Sequence, residues 1–435
     1  MDKICAGHPE IHVKAVREGW SKERAELEVL RASRPRGPAI HSENGTERSA
    51  ESIEAALCLS AGMDEKWLAG HYDERTMNAA LSRRMRDTTI HVVMDSVIHA
   101  AGRHYGGSRK SNEFIRAALD AERTLRASSG FSTMSLSGIL SNVANKAMIA
   151  AYEAIETVHS AIAAYRSHSD FKVYTRYRLD ARGAFQKVGP DGELKHVGLS
   201  EASYTNQLDT WGAIIALTRQ MMINDDLGAF LEIPTFLGRM SAIAVEEEVF
   251  KLLLSNPNNF FSAGNNNLLT GAGSALSIDA LGDAEKLFIN QVDSNGKPIL
   301  VTPRVLLVGA PLKTLADDLW NETQVMVTTT ADKRRFATNP HKGKYRPFVS
   351  PYLNNTAITD RNGEQISGQS DTQWYLFADA NIRAAMAVAT LNGRRIPTIE
   401  SDDASFDVLG MQWRAYHDFG VGMEDPVAAV KSAGA

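Results

Sequence analysis

Phe171-Lys172-Val173-Tyr174-Thr175-Arg176-Tyr177-Arg178-Leu179 interleaves apolar and aromatic side chains with three cations. That alternation predicts a β-strand, because successive strand residues point to opposite faces. Gly189-Pro190-Asp191-Gly192 supplies a turn, and a second extended arm runs through Lys195 and Val197. The result is a long hairpin with charges on both faces. Such a hairpin has little to pack on within its own chain, so a neighbouring subunit is its best source of stability.

Outward from the hairpin, the chain divides. On the N-terminal side, Leu136 to Tyr165 is alanine-rich and periodic, which predicts a helical arm. Before it, Arg126-Ala127-Ser128-Ser129-Gly130-Phe131-Ser132 is small, polar and flexible in composition, a domain boundary and protease site by chemistry. The first 130 residues read as short charged helices: one capped by Ser21 and stopped at Arg34-Pro35-Arg36-Gly37-Pro38, then Glu51 to Leu59, Asp73 to Arg86 and Asn112 to Arg126. Their apolar surface predicts no robust core of their own. On the C-terminal side, a long helix is expected from Asp225 to Ser255, with Pro234 kinking it or starting its second part. Its apolar face includes Val245, Val249 and Leu253, and Glu246-Glu247-Glu248 its wet one. Phe261 to Ser274 reads as a loop. Helices follow at Ile278 to about Val292 and Ala310 to Asn321, and strands at Pro303–Val308, Trp374–Ala378, Met386–Leu391, Phe406–Val408 and Met411–Asp418. The fold class is α+β.

Composition narrows the function. At 435 residues and 43% hydrophobic content, the chain can build two or three cored domains. A net charge of −5 leaves no basic field for gripping nucleic acid. Cys5 and Cys58 are too few for a disulfide framework. Apolar runs such as Trp211 to Leu217 are far too short to span a bilayer, and the N-terminus has no signal pattern, so a chain made and kept in the cytoplasm is expected. Catalytic motifs are thin. His8-Pro9-Glu10-Ile11-His12 lacks zincin spacing, Gly271-Ala272-Gly273 lacks the third glycine of a dinucleotide loop, and Gly296-Lys297 and Gly343-Lys344 lack the rest of a phosphate loop. No GxSxG occurs and neither cysteine has metal-ligand spacing. No enzyme, cofactor or metal is expected.

Three ordered segments carry a family resemblance. Gln291-Val292-Asp293-Ser294-Asn295-Gly296-Lys297-Pro298 leads to Arg304-Val305-Leu306-Leu307-Val308. Trp374-Tyr375-Leu376-Phe377-Ala378-Asp379 is followed by Leu391-Asn392-Gly393. Phe406-Asp407-Val408 precedes Trp413-Arg414 and His417-Asp418-Phe419-Gly420-Val421-Gly422. In this order they resemble the major capsid (head) subunits of tailed bacteriophages, the Mu-like prophage head-subunit group in particular. Cys5 to Glu10 and Glu26 to Pro35 resemble the linker that follows prohead proteases fused to capsid subunits, although the protease domain itself is missing.

The resemblance implies the Hong Kong 97-type capsid fold: a scaffold-like segment at 1–130, cleaved within Arg126 to Ser132; an N-terminal arm at 131–170; an extended loop at 171–217; a peripheral domain with its spine helix at 218–276; an axial domain at 277–373; and strands at 374–435 completing both domains. It implies hexamers and pentamers in an icosahedral virion shell, assembled in the bacterial cytoplasm around double-stranded DNA bound without sequence specificity, with a prohead protease, a portal and decoration proteins as partners and no membrane. Within that frame Arg176, Arg178, Arg182 and Lys187 are expected to meet Glu246, Glu247 and Glu248 across subunits. A covalent crosslink from Lys187 or Lys195 to Asn354 or Asn355 is a remoter expectation. The competing readings are an encapsulin-like compartment shell and a prohead-protease-related hydrolase.

Overall fold

The computed structural model describes residues 49–82, 85, 88–128, 136–182, 198–218, 220, 224, 227–292, 296–328, 334–360, 362–403 and 410–434. The architecture is α+β; among the described residues it comprises two five-stranded sheets, two two-stranded ribbons and a long helix running between two cores.

The regular elements described in residues 49–128 are helices: α1 (Ala50–Ser60), α2 (Glu65–Ala69), α3 (Glu74–Ala80), α4 (Ile90–Ala100) and α5 (Asn112–Ser128). Ser49, Asp64 and Asp73 cap the first three, each side chain accepting from a backbone N–H that would otherwise go unpaired. After these come α6 (Leu136–Glu153) and the single turn α7 (His159–Ile162). Ile53, Leu57, Val93, Val97 and Phe114 are buried in one cluster with Leu140 and Val143 of α6. Residues 49–128 thus have no core of their own but share one with α6, which lies beyond the expected boundary. Each short helix exposes only a narrow apolar stripe, but the stripes converge on α6, whose own stripe lies beyond the supposed boundary.

β1 (Ala163–His168) begins directly after α7, so Tyr165 lies in a strand and not in the helical arm. Next come the hairpin strands β2 (Tyr174–Arg182) and β3 (Gly198–Asn206), then β4 (Asp209–Thr218). The spine helix α8 (Leu227–Ser255) runs through Pro234 and is about 44 Å long at 1.5 Å per residue. It lies against α6 through Gly238, where a Cβ would stand 2.2 Å from the Met148 carbonyl oxygen. β5 (Leu268–Leu269), α9 (Ile278–Ile289), β6 (Pro303–Val308), α10 (Lys313–Asn321), β7 (Gln324–Thr328), β8 (Arg334–Thr338) and β9 (Arg346–Val349) follow, then β10 (Trp374–Ala378), β11 (Met386–Leu391), β12 (Thr398–Asp403), β13 (Gly410–Met423) and β14 (Ala429–Ser432).

One sheet has the order β5-β14-β10-β6-β9 and the other β1-β11-β13-β12, with β4 also on β13. The C-terminal strands thus divide between the sheets, and neither sheet is contiguous in sequence. Four corrections follow. β4 pairs with β13 from Asp209↔Phe419 to Thr218↔Gly410, so it belongs to a sheet and not to a free loop reaching 217. β5 falls within Phe261 to Ser274, expected as a loop, and pairs with β14. The helix expected over Asp73 to Arg86 stops at Ala80, while α5 runs two residues past Arg126 because Ala127 and Ser128 continue its last turn. Phe406–Val408 lies outside the described residues.

Candidate assembly surface

The hairpin extends the chain's reach. Its strands, nine residues each, pair from Tyr174↔Asn206 to Arg182↔Gly198, about 30 Å at 3.3–3.4 Å per residue. Within the described sheets β2 and β3 pair only with each other. Val173, just before β2, and Tyr177 within it are exposed. An apolar, charged, two-stranded ribbon of this length is marginal alone in water.

Its base is held firmly. Gly420 of β13 lets Gln207 pass so closely that a Cβ there would stand 1.7 Å from the Gln207 carbonyl oxygen. His168 stacks on Tyr174 with centroids 3.3 Å apart. Burial lowers the His168 pKa, with Asp170 pulling it back up. Arg166 donates to both oxygens of Glu424, Nε at 3.0 Å and Nη2 at 2.8 Å, the fork geometry that makes arginine–carboxylate pairs strong. Arg176 of β2 approaches the same carboxylate at 3.7 Å, and Arg383 Nε donates to Asp425 at 2.5 Å. These groups line a cleft of about 380 Å³ whose rim also holds Tyr177, Tyr204, Leu300 and Ile382. Leu300 is 80% exposed with φ +58°, a left-handed backbone unusual for leucine, and Ile382 is 82% exposed. A charged floor with apolar lips suits contact with another protein surface.

A family model described as phage capsid protein matches residues 202–432, more than half of the chain. The chain belongs to the phage capsid protein family. It is accordingly a structural subunit of a phage head. Solved structures similar to it include the head of the Helicobacter pylori bacteriophage KHP40 (11% identity, covering 63% of this chain and 87% of that one, TM-score 0.42). The mature capsid of bacteriophage PhiM1 is another (12%, 64% and 86%, 0.40). A third is the virus-like particle from Pyrococcus furiosus (11%, 66% and 97%, 0.38). No curated protein matches the sequence.

In the capsid subunit the two groups expected to meet across subunits have separate fates. Arg176 is engaged by Glu424 of its own chain. Arg178 and Arg182 sit in β2 opposite Ala202 and Gly198, and Lys187 and Lys195 lie outside the described residues. Glu246 is only 8% exposed and Glu247 is buried too, which overturns the wet-face reading. The Glu246 carboxylate accepts from the backbone N–H of Val158 at 3.0 Å and of His159 at 3.0 Å, and from His159 Nδ1 at 2.6 Å. It thus caps the start of α7, where a helix needs acceptors. Glu248 is half-buried and lines a crevice with Val173 and Asn206 at the hairpin base. Asn354 Oδ1 accepts from the Ala310 N–H, 44 residues away, and Asn355 Oδ1 from the Ala357 N–H in a local turn, so both asparagines are already engaged within the chain. The expected cleavage zone divides: Arg126, Ala127 and Ser128 end α5, and Ser129, Gly130, Phe131 and Ser132 lie outside the described residues.

Glu424, Arg166 and Gly420 went unrecognised in the sequence as members of this surface. The alternation Phe419-Gly420-Val421-Gly422 was visible, and only the crossing of Gln207 gives it meaning. Among the described residues no group of three or more metal-ligating side chains occurs, and no helix is long and apolar enough to cross a membrane.

A pH effect follows from the β13–α8 contact. His417 Nδ1 lies 2.9 Å from Ser241 Oγ, and burial, reinforced by Arg394 and His159, lowers its pKa from 6.5 to about 4. Above pH 6.5 the ring is uncharged in folded and unfolded chains alike. As pH falls towards 4 the unfolded chain takes up a proton that the folded one refuses. Stability should therefore decline across that window by about 3 kcal/mol and level off below it. Denaturant titrations from pH 7 to 4 should show this decline, and His417→Asn should remove most of it.

Proposed function

We propose that the subunit builds the head wall of a tailed phage as hexamers and pentamers in the Hong Kong 97-type arrangement, with double-stranded DNA inside. The observation that supports this most is the rigidly rooted hairpin without a second β-partner in its own sheets. It projects a surface that another molecule can cover. The cleft at its root, with Leu300 and Ile382 on the rim, gives a second surface for repeated contact. Many such contacts, each weak and reversible, sum to a stable shell. The net charge of −5 suits a wall that encloses DNA without gripping it. A prohead protease, a portal and decoration proteins complete the proposal, on the strength of the resemblance in the C-terminal segments.

Negative-stain microscopy of the purified protein tests the reading. Closed icosahedral shells are expected, with nucleic acid when made during infection. Monomers at every concentration and salt condition would end it, and nucleic-acid-free shells from infected cells would favour a compartment. Glu424→Ala, which leaves Arg166 and Arg176 without their shared carboxylate, should cut shell yield at least about tenfold while the monomer stays folded, by the few kcal/mol that a broken buried pair costs.

A further inference from the structure

The surface between residues 49–128 and α6 is built like a docking interface. Its apolar seam joins Leu57, Val97 and Phe114 to Leu140 and Val143. Around that seam sit three polar contacts of unusual span. The Glu54 carboxylate, 4% exposed, accepts from Lys146 Nζ, from Asn142 Nδ2 at 2.9 Å and from the Tyr72 hydroxyl at 2.7 Å. Lys146 also lies over the Tyr72 ring, 4.7 Å from its centroid. Trp67 Nε1 donates to Glu153 Oε2 at 2.9 Å. At the other end Glu122 accepts from the Ser137 N–H at 3.1 Å and from its hydroxyl, capping the first turn of α6. The three contacts fall near the start, middle and end of α6, so they resist rocking as well as sliding.

We infer that residues 49–128 are a lobe docked on α6 of the capsid subunit by this seam and these three carboxylates, independently of the peptide connection. A cut anywhere between Ser128 and Leu136 leaves the lobe in place, and the mature wall retains it as part of the subunit. The reason is physical. Removing the lobe would expose the apolar stripe of α6 to water and take the Glu54 and Glu122 carboxylates away from Lys146 and from the first turn of α6. The lobe in turn would carry away Glu54, a carboxylate seated among side chains it needs. The retention step rests on the head-subunit reading, whereas the docking does not.

The test uses the full chain with a site-specific protease sequence, flanked by Gly-Ser, inserted between Ser128 and Leu136. After complete cutting, both fragments should migrate as one species in size exclusion and native mass spectrometry. Separation into two species would overturn the proposal. Lys146→Met should speed fragment separation at least about tenfold. If that variant fails to fold uncut, Trp67→Phe, which loses the bond to Glu153 and part of the ring packing, should speed it severalfold. Unchanged rates in the folded variants would also overturn it. In mature heads, peptides from 49–128 should be equimolar with those from 136–434, and their absence would end the retention claim. A protein that forms no shell yet keeps its cut fragments together would sink the head reading and spare the docking.

Discussion

Gly420→Ala should abolish shell assembly and destabilise the subunit by about 3 kcal/mol or more. The added methyl would stand 1.7 Å from the Gln207 carbonyl oxygen and 2.7 Å from its carbon. Both obstructing atoms are backbone, so no rotamer change relieves the clash. Gln207 joins the hairpin strand β3 to β4, and β4 is held along β13 from Asp209 to Thr218. The chain therefore cannot retreat without opening that ladder. On its other edge Gly420 pairs with Ala389 of β11, which blocks retreat of β13. The expected result is a lower denaturation midpoint, a hairpin that becomes protease-sensitive, and no closed particles by electron microscopy. A Gly420→Ala protein that assembles at normal yield with an unchanged midpoint would refute the account of the hairpin root.

Lys146→Met should cost about 3–5 kcal/mol, the penalty for stranding a buried carboxylate. Glu54 would keep the Tyr72 hydroxyl and the Asn142 amide, but neither carries charge. Cys58, buried beside it, shows how apolar this place is, since burial above all, and then the Glu54 charge, push its thiol pKa up to about 12. The double variant Glu54→Leu with Lys146→Met should recover much of the loss, because it replaces a buried pair by apolar groups of similar size. Equilibrium unfolding of the two single variants and the double measures the coupling. A single-variant loss below about 1 kcal/mol would show the pair to be no more than a surface ion pair.

Legibility followed the range of the interactions. Pro303–Val308, Trp374–Ala378 and Met386–Leu391 were readable to the residue, since a strand buried on both faces is a continuous apolar run. The spine helix was readable within two residues at its start, since Val245, Val249 and Leu253 repeat at helical spacing. Glu246 was misread because a run of three glutamates carries no sign that the Val158 and His159 amides lie opposite one of them. Those amides are 87 and 88 residues away, and nothing local announces them. The core that residues 49–128 share with α6 was missed for the same reason: the stripes of α1, α4 and α5 add up only when α6 gathers them.

The sequence by itself determined the local elements, the absence of familiar catalytic motifs and, through three ordered segments, the family. These follow from periodicity, turn chemistry and residue type, which act over a few neighbours. Only the tertiary structure decided that Arg166, 258 residues from Glu424, would share that carboxylate with the hairpin, and that Gly420 would be the gap through which the hairpin's root passes. Such pairings depend on where two distant backbones cross, a matter of shape that no spacing within one stretch encodes. Tertiary structure also showed residues 49–128 packed on α6 through a shared core, because burial is a property of the whole fold.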